Sequence, residues 1–251
     1  MTFFATTDYD GKRGFDEIFS YIGSMKDILI LLYTFFFRMM RFADKSLQIA
    51  NSKLLFVKPN MCANNRLIIE HAVVKRTAVN VHGERNKIII KGNIGTSEIR
   101  VSGQNNVVEI AKDCGIDHSV IVVNGVDCKV IIGEKTSIGS MYAVCMGKNN
   151  YISIGEDCLF STDIDIWATD SHPIYNEKGE VCNPSKPIKI GNHVWIGKCA
   201  KILKGVSVED NGIIGMNAMV TRDVPANSII VGNKGRIIKT GITWGKTFIR
   251  E

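Results

Sequence analysis

The chain has 251 residues, of which 45% are hydrophobic, 8% aromatic and 22% charged, and its formal net charge is +6. These values are typical of an ordinary soluble globular protein that can bury a sizeable core. Lys and Arg are dispersed among Asp and Glu without interleaved aromatic residues, which argues against nucleic acid as a partner.

Residues 1–60 are predicted to form a small, partly helical N-terminal cap. The first residues, MTFFATTDYDGKR, lack the pattern of a secretory signal. The apolar run from Ile28 to Phe37 has about half of the ~20 residues that a bilayer span requires. Because Arg38, Arg41 and Lys45 follow it, two alternatives stay open: the run packs on the first repeat, or it lies on an anionic membrane surface.

Polar turns followed by short strands recur along the middle of the chain. The segments 105–110, 127–132 and 149–154 are spaced 22 residues apart, and a similar segment, 86–90, lies 20 residues before the first. Each is predicted to begin a new coil of a repeat architecture that covers residues 86 to 232.

A strict six-residue period begins at Ile190. Its aliphatic positions are Ile190, Ile196, Ile202, Val208, Ile214 and Val220, and its small fifth positions are Val194, Ala200, Val206, Gly212, Ala218 and Val224. This period fits neither a helix nor a single strand, so it predicts three flat faces per 18-residue turn, with the aliphatic residue inside. The sequence therefore predicts a stacked parallel β-helix domain over residues 61–232, closed by the cap and by a C-terminal tail at 233–251.

One long loop is predicted to interrupt the period. The repeats that start at Ile154 stop at Ser171, and 18 residues remain before the register resumes at Ile190. This segment, residues 172–189, is polar and contains Gly and Pro, so it is expected to project from the coil and to cover a substrate cleft.

The seven cysteines show no CxxC pairing, and several of them lie inside repeats. Reduced thiols packed as small hydrophobic groups are therefore expected, and with them a cytoplasmic, reducing compartment.

Residues 166–174 (IWATDSHPI) and 186–197 (KPIKIGNHVWIG) carry a more specific signal than the period alone. Together with the repeats they resemble the hexapeptide-repeat acyltransferases, in the sugar O-acetyltransferase branch that includes enzymes acetylating capsular sialic acids. The resemblance implies an all-β, left-handed parallel β-helix. It also implies acetyl-CoA as co-substrate, a carbohydrate acceptor from a capsule or cell surface, and a homotrimer with active sites between subunits.

His172 is the candidate general base, since a neutral imidazole can accept a proton from a sugar hydroxyl near neutral pH. Asp170, two residues away, is expected either to orient the imidazole or to face solvent. Asp163 and Asp165 are weaker carboxylate candidates.

The resemblance also implies a set of residues that bind the coenzyme: Gly197, Lys198, Met216, Thr221, Arg222, Arg236 and Lys239. The backbone N–H of Lys198 is expected to stabilise the oxyanion, and the basic residues are expected to contact phosphates. For each basic residue an ordinary solvated surface charge is the alternative. No metal is expected, because His71, His82, His118, His172 and His193 show no matching corner spacing.

His193 and Trp195 fall on predicted outer positions beside the active turn. Trp195 is a candidate for catalysis or for stacking on the sugar or the coenzyme, with a subunit contact as the alternative. Tyr142 stands where the broader family has an acceptor-binding Asn; that contact is not carried over, and Tyr142 remains a substrate-binding candidate. Other functions left open are serine or nucleotide-sugar acetylation, a metal enzyme of the same fold and a non-catalytic scaffold.

Overall fold

The computed structural model of the chain describes residues 29–30, 32–34 and 47–247. They form a parallel β-helix of eight coils, each built from three strands that belong to three different sheets. We call these sheets A, B and C in the order in which the chain passes through them. The edges of the prism are named AB, BC and CA after the sheets that they join.

The strands follow in chain order. The first four coils contain β1 (Leu47–Ala50), β2 (Lys53–Leu55), β3 (Lys58–Met61), β4 (Arg66–Glu70), β5 (Val73–Lys75), β6 (Ala78–Glu84), β7 (Lys87–Ile90), β8 (Asn93–Gly95), β9 (Glu98–Gln104), β10 (Val107–Ile110), β11 (Gly115–Asp117) and β12 (Val120–Val126). The last four contain β13 (Lys129–Ile132), β14 (Ser137–Ile138), β15 (Met141–Lys148), β16 (Tyr151–Ile154), β17 (Leu159–Phe160), β18 (Ile164–Trp167), β19 (Ile188–Ile190), β20 (Trp195–Ile196), β21 (Lys201–Leu203), β22 (Ser207–Val208), β23 (Ile213–Ile214) and β24 (Met219–Val220). Sheet B continues with β25 (Ser228–Val231) and β26 (Arg236–Thr240).

The predicted six-residue period is confirmed by the burial pattern. The aliphatic positions from Ile190 to Val220 are at most 1% exposed, and the small fifth positions from Val194 to Val224 are buried as well. In-register parallel pairing places the same inward position of successive coils in one column, as with Val108, Val130 and Ile152. The core is therefore a stack of aliphatic layers in which each coil is buried by its neighbours.

The fourth position of a repeat turns the chain at each edge. His193, Cys199, Asn211 and Asn217 have φ between 52° and 59°, and Gly205 has φ of 81°. Asn tolerates this left-handed region better than most residues, and Gly adopts it without strain. This requirement explains why polar and small residues recur at the fourth position.

Polar turns spaced 20 to 22 residues apart form a buried ladder along edge CA. The side-chain oxygen of Asn65 accepts from the backbone and side-chain N–H groups of Asn86. The side-chain oxygen of Asn86 accepts from the same two groups of Asn106. Cys128 takes the next place, where its N–H donates to Asn106 Oδ1 at 2.9 Å. Hydrogen bonds thus satisfy buried polar groups where the repeat is looser.

Four glycines stack where the long strands of sheet C end. Gly83, Gly103, Gly125 and Gly147 all have positive φ. A Cβ atom added to any of the first three would overlap the carbonyl oxygen of the next glycine in the column. Only glycine therefore allows adjacent coils to approach this closely here.

The β-helix begins earlier than the boundary predicted at residue 60, because β1 to β3 already form a complete coil. Their side chains alternate without a strict six-residue pattern, which is why the sequence did not mark them. Residues 29–30 and 32–34 are helical and dock on this coil: the Tyr33 hydroxyl donates to Val57 O at 3.0 Å, and Thr34 Oγ1 accepts from Leu54 N. Arg38, Arg41 and Lys45 lie outside the described residues. No helix in the described ranges is long and apolar enough to cross a membrane.

At the other end, β26 reverses direction and pairs antiparallel with β25. Residues 241–247, which we call the C-terminal strap, then run back along the prism. Asn227 fixes the start of the strap, because its backbone oxygen and side-chain amide both bond to Ile242. This segment lies within the region predicted as a tail.

Candidate active site

His172 lies on the loop that leaves sheet C after β18 and returns to sheet A at β19. It is exposed, and its imidazole makes no hydrogen bond or ion pair within the part of the chain that the structure describes. Two hydrogen bonds hold the backbone of His172. Its N–H donates to Asp170 O at 2.7 Å, and its carbonyl oxygen accepts from Asn183 Nδ2 at 2.9 Å. A held backbone with an open imidazole is suited to an acid–base role.

Lys204 anchors the loop at its base. Its ammonium group donates to Asp170 Oδ2 at 2.6 Å and to the carbonyl oxygens of Asn183 and Pro184. Asn183 Nδ2 also donates to Asp170 Oδ2, at 2.8 Å. Hydrogen bonds from Lys204 and Asn183 lower the pKa of Asp170, so this carboxylate is ionised near neutral pH.

Asp170 therefore binds the foot of the loop. Orienting the His172 imidazole was one of the two expected roles of Asp170. Within the described residues Asp170 makes no hydrogen bond to that imidazole. Sequence reasoning missed Lys204 and Asn183. Lys204 lies 34 residues after Asp170, on the far side of the loop, and no local pattern pairs the two.

Gly197, Lys198 and Met216 come together on edge BC. A Cβ atom added to Gly197 would lie 2.7 Å from Met216 N, so the turns are closely stacked. Among the described residues the backbone N–H of Lys198 donates no hydrogen bond, while its ammonium group pairs with Asp163 at 3.6 Å. Met216 is 65% exposed. Edge BC thus offers an available amide donor beside an open surface.

The remaining candidates for coenzyme binding are elsewhere. Thr221 and Arg222 follow β24 on edge CA, and the guanidinium of Arg222 donates to the carbonyl oxygens of Lys234 and Gly235. Arg236 and Lys239 lie exposed on β26. His172 also lies on edge CA, whereas Lys198 lies on edge BC. Sheet C separates these two edges, so a single prism does not bring His172 and Lys198 together.

Two aromatic side chains stack on the outer face of sheet C. Tyr142 and Trp167 have ring centroids 5.8 Å apart and an interplanar angle of 19°. Trp167 ends β18, directly before the loop that carries His172. Beside them, Asp165 forms an ion pair with Lys201. Tyr142 is thus an exposed aromatic residue on the face that leads to the loop.

His193 is held by the C-terminal strap. Its Nδ1 lies 2.7 Å from Asp157 Oδ2, and its Nε2 lies 3.0 Å from Trp244 O. The indole of Trp244 stacks on the imidazole and donates from Nε1 to His193 O at 2.7 Å. Lys246 completes the cluster with a 2.7 Å ion pair to Asp157. Sequence reasoning missed Asp157, Trp244 and Lys246.

Trp195 lies beside this cluster on the outer face of sheet B. It is 41% exposed, and its ring centroid is 5.9 Å from that of Trp244. One face of sheet B thus presents two neighbouring indoles. In the described residues no group of three or more His, Cys, Asp or Glu side chains is arranged to hold a metal ion.

The fold and the loop define a hexapeptide-repeat protein of the transferase type. The family model described as bacterial transferase hexapeptide (six repeats) matches residues 187–222. The crystal structure of the polySia specific acetyltransferase NeuO is 32% identical to the chain, with 83% of this chain and 93% of that one covered and a TM-score of 0.59. The chain belongs to the hexapeptide-repeat acyltransferase family, whose fold is the left-handed parallel β-helix.

Within that family the chain is similar to polysialic acid O-acetyltransferases. The Escherichia coli O1:K1 protein of that name is 37% identical over 141 residues, which are 56% of this chain and 45% of that protein. The Neisseria meningitidis protein is 37% identical over 137 residues, which are 53% of this chain and 63% of that one. The matches therefore span less than two thirds of these curated relatives.

Proposed function

We propose that the protein transfers an acetyl group from acetyl-CoA to a hydroxyl of a capsule or surface polysaccharide, with sialic acid as a candidate acceptor. The names of the relatives support this acceptor class. One observation carries the proposal: His172 presents an open imidazole on a loop whose foot is fixed by Lys204.

In the proposed reaction the His172 imidazole takes the proton of the sugar hydroxyl. The hydroxyl oxygen then attacks the thioester carbonyl carbon, the C–S bond breaks, and the departing thiolate takes the proton from the imidazolium. No acyl-enzyme is formed. The free N–H of Lys198 is suited to stabilise the oxyanion, because it is already in place and needs no rearrangement.

We propose a homotrimer with the active site between chains. His172 and Lys198 lie on different edges of one prism, so edge CA of one copy and edge BC of the next together would supply the base and the oxyanion donor. Gly197 and Met216 on edge BC of one copy and Thr221 on edge CA of its neighbour would line the coenzyme groove. Arg236 and Lys239, which form no ion pair within the described residues, are suited to its phosphates, whereas Arg222 already binds two carbonyl groups.

A cytoplasmic location is part of the proposal. All seven cysteines are free thiols, and four of them are buried in the core. Free thiols are kept reduced in a reducing compartment such as the cytoplasm.

The test is free-thiol release from acetyl-CoA with sialosides, other capsule oligosaccharides, simple sugars and serine as acceptors. The variant His172→Ala is expected to fold and to bind acetyl-CoA but to lose at least ~10²-fold in transfer rate. His82→Ala, at another exposed histidine, is the matched control and should keep full activity. Undiminished transfer by His172→Ala would refute His172 as the base. Thiol release that depends on serine would show that serine, and not a carbohydrate, is the acceptor.

A further inference from the structure

Two shallow grooves lie on either side of Tyr151, at the start of β16 on edge CA. The first, of about 340 Å³, is lined by Asp127, Lys129, Asn149, Asn150 and Tyr151. The second, of about 300 Å³, is lined by Tyr151, Lys186, Pro187, Lys189, Gly205, Val206, Ser207 and Asp223. Tyr151 is shared by both grooves and is 40% exposed, so its ring stands between them.

The grooves run along the axis of the prism. Lys129 and Tyr151 pair on consecutive coils of sheet A. Lys189 lies on the next coil and pairs with Ser207 on the last one. Parallel strands are about 4.8 Å apart, so the lined surface extends for about 14 Å. A path of this length suits several units of a linear chain better than a single small molecule.

Three lysines on this path form no ion pair within the described residues. They are Lys129, Lys186 and Lys189, and all three are exposed. By contrast, Lys198, Lys201, Lys204 and Lys246 on neighbouring surfaces are all paired with aspartates. The grooves also contain two carboxylates, Asp127 and Asp223, so the lysines outnumber them by one, and Asp223 accepts from Ser207 N at 2.8 Å. Unpaired ammonium groups favour a ligand that carries negative charge.

The second groove is continuous with the loop that carries His172. Lys186 and Pro187 belong to the returning arm of this loop. The stem of Lys186 passes over Gly205, where an added Cβ atom would lie 3.1 Å from Lys186 Cδ. Lys186 therefore has a defined position at the foot of the loop.

We propose that this surface, the Tyr151 groove, binds a linear acidic oligosaccharide and guides it toward the His172 loop. The exposed Tyr151 ring would contact a sugar ring, Asn149 would bind hydroxyl groups, and the three lysines would contact acidic groups on successive units. The proposal rests on the function proposed above and deepens it, because it assigns the acceptor a binding path outside the reacting centre.

The experiment is isothermal titration calorimetry of the full chain with polysialic acid oligomers, and with neutral maltoheptaose, in the absence of acetyl-CoA. We expect the wild type to bind the acidic oligomer, with an affinity that falls as salt is added, and not to bind the neutral one. Tyr151→Ala and the double variant Lys129→Ala/Lys189→Ala should each weaken binding about tenfold or more. Lys53→Ala/Lys58→Ala, at exposed lysines of the first coil, is the matched control and should bind as the wild type does.

Unchanged affinity in both groove variants, equal binding of the neutral chain, or no binding by the wild type would overturn the Tyr151 groove. The two proposals fail separately. Binding that depends on the groove without any acetyl transfer would refute only the proposed function, whereas His172-dependent transfer with groove-independent binding would refute only the groove.

Discussion

The imidazole of His193 and the indole of Trp244 stack with ring centroids 4.2 Å apart, although 51 residues separate them in the chain. Both ring nitrogens of His193 face acceptors, Asp157 Oδ2 on one side and Trp244 O on the other. The imidazole therefore lies between Asp157 and the C-terminal strap and links the two, with the Trp244 ring stacked on it.

Trp244→Ala should release the strap, because it removes the stacking and the 2.7 Å bond from Nε1 to His193 O. An aromatic pair contributes about 0.5–1.5 kcal/mol beyond its burial. Hydrogen exchange of residues 242–246 should become much faster, and Trp195 fluorescence should change. Trp244→Phe, which keeps a ring without the donor, should give an intermediate result. Unaltered exchange in Trp244→Ala would show that the strap is held by other contacts.

Asp157 should make the stability of the protein sensitive to acid. Its pKa is lowered by Lys246 first and by His193 second, so the folded state binds the proton more weakly than the unfolded state does. The resulting stabilisation is complete above the unfolded pKa of about 3.9 and is lost as the pH falls through the lower folded value. In urea unfolding, Asp157→Asn should be less stable than the wild type at pH 7, and the difference should shrink below about pH 3.9. A constant difference across this range would contradict the ion pair.

Lys204→Ala should loosen the His172 loop. The substitution removes the three hydrogen bonds that join Asp170, Asn183 and Pro184, so the loop backbone should exchange faster and acetyl transfer should fall mainly through kcat. Lys201→Ala breaks a surface ion pair on β21, the strand that directly precedes Lys204, and is the matched control. Equal losses in both variants would show that the effect is not specific to the loop.

Gly103→Ala should destabilise the β-helix by about 2–4 kcal/mol or more, since a Cβ atom would overlap the Gly125 carbonyl oxygen at a positive φ. Gly115→Ala is the control, because no atom lies within 4 Å of its added Cβ and its φ is not in the left-handed region. The two variants should differ clearly in thermal unfolding. Similar midpoints would mean that the glycine column can separate at little cost.

The sequence by itself determined the repeat, the inward positions and the place of the loop. A residue that recurs every six positions meets its equivalent on the neighbouring coil, so local spacing is enough to identify the buried column from Ile190 to Val220. The resemblance of residues 166–174 and 186–197 indicated the family before any contact was known. The first coil, from Leu47 to Met61, escaped notice because its pattern is irregular.

Only the tertiary structure decided which side chains meet. Lys204 reaches Asp170 across the whole loop, and Trp244 reaches His193 after the chain has reversed at β26. Such pairs depend on how coils stack and on the course that a non-repeating segment takes over them. The period of the sequence carries no information on either, because loops and tails stand outside the repeat that generates it.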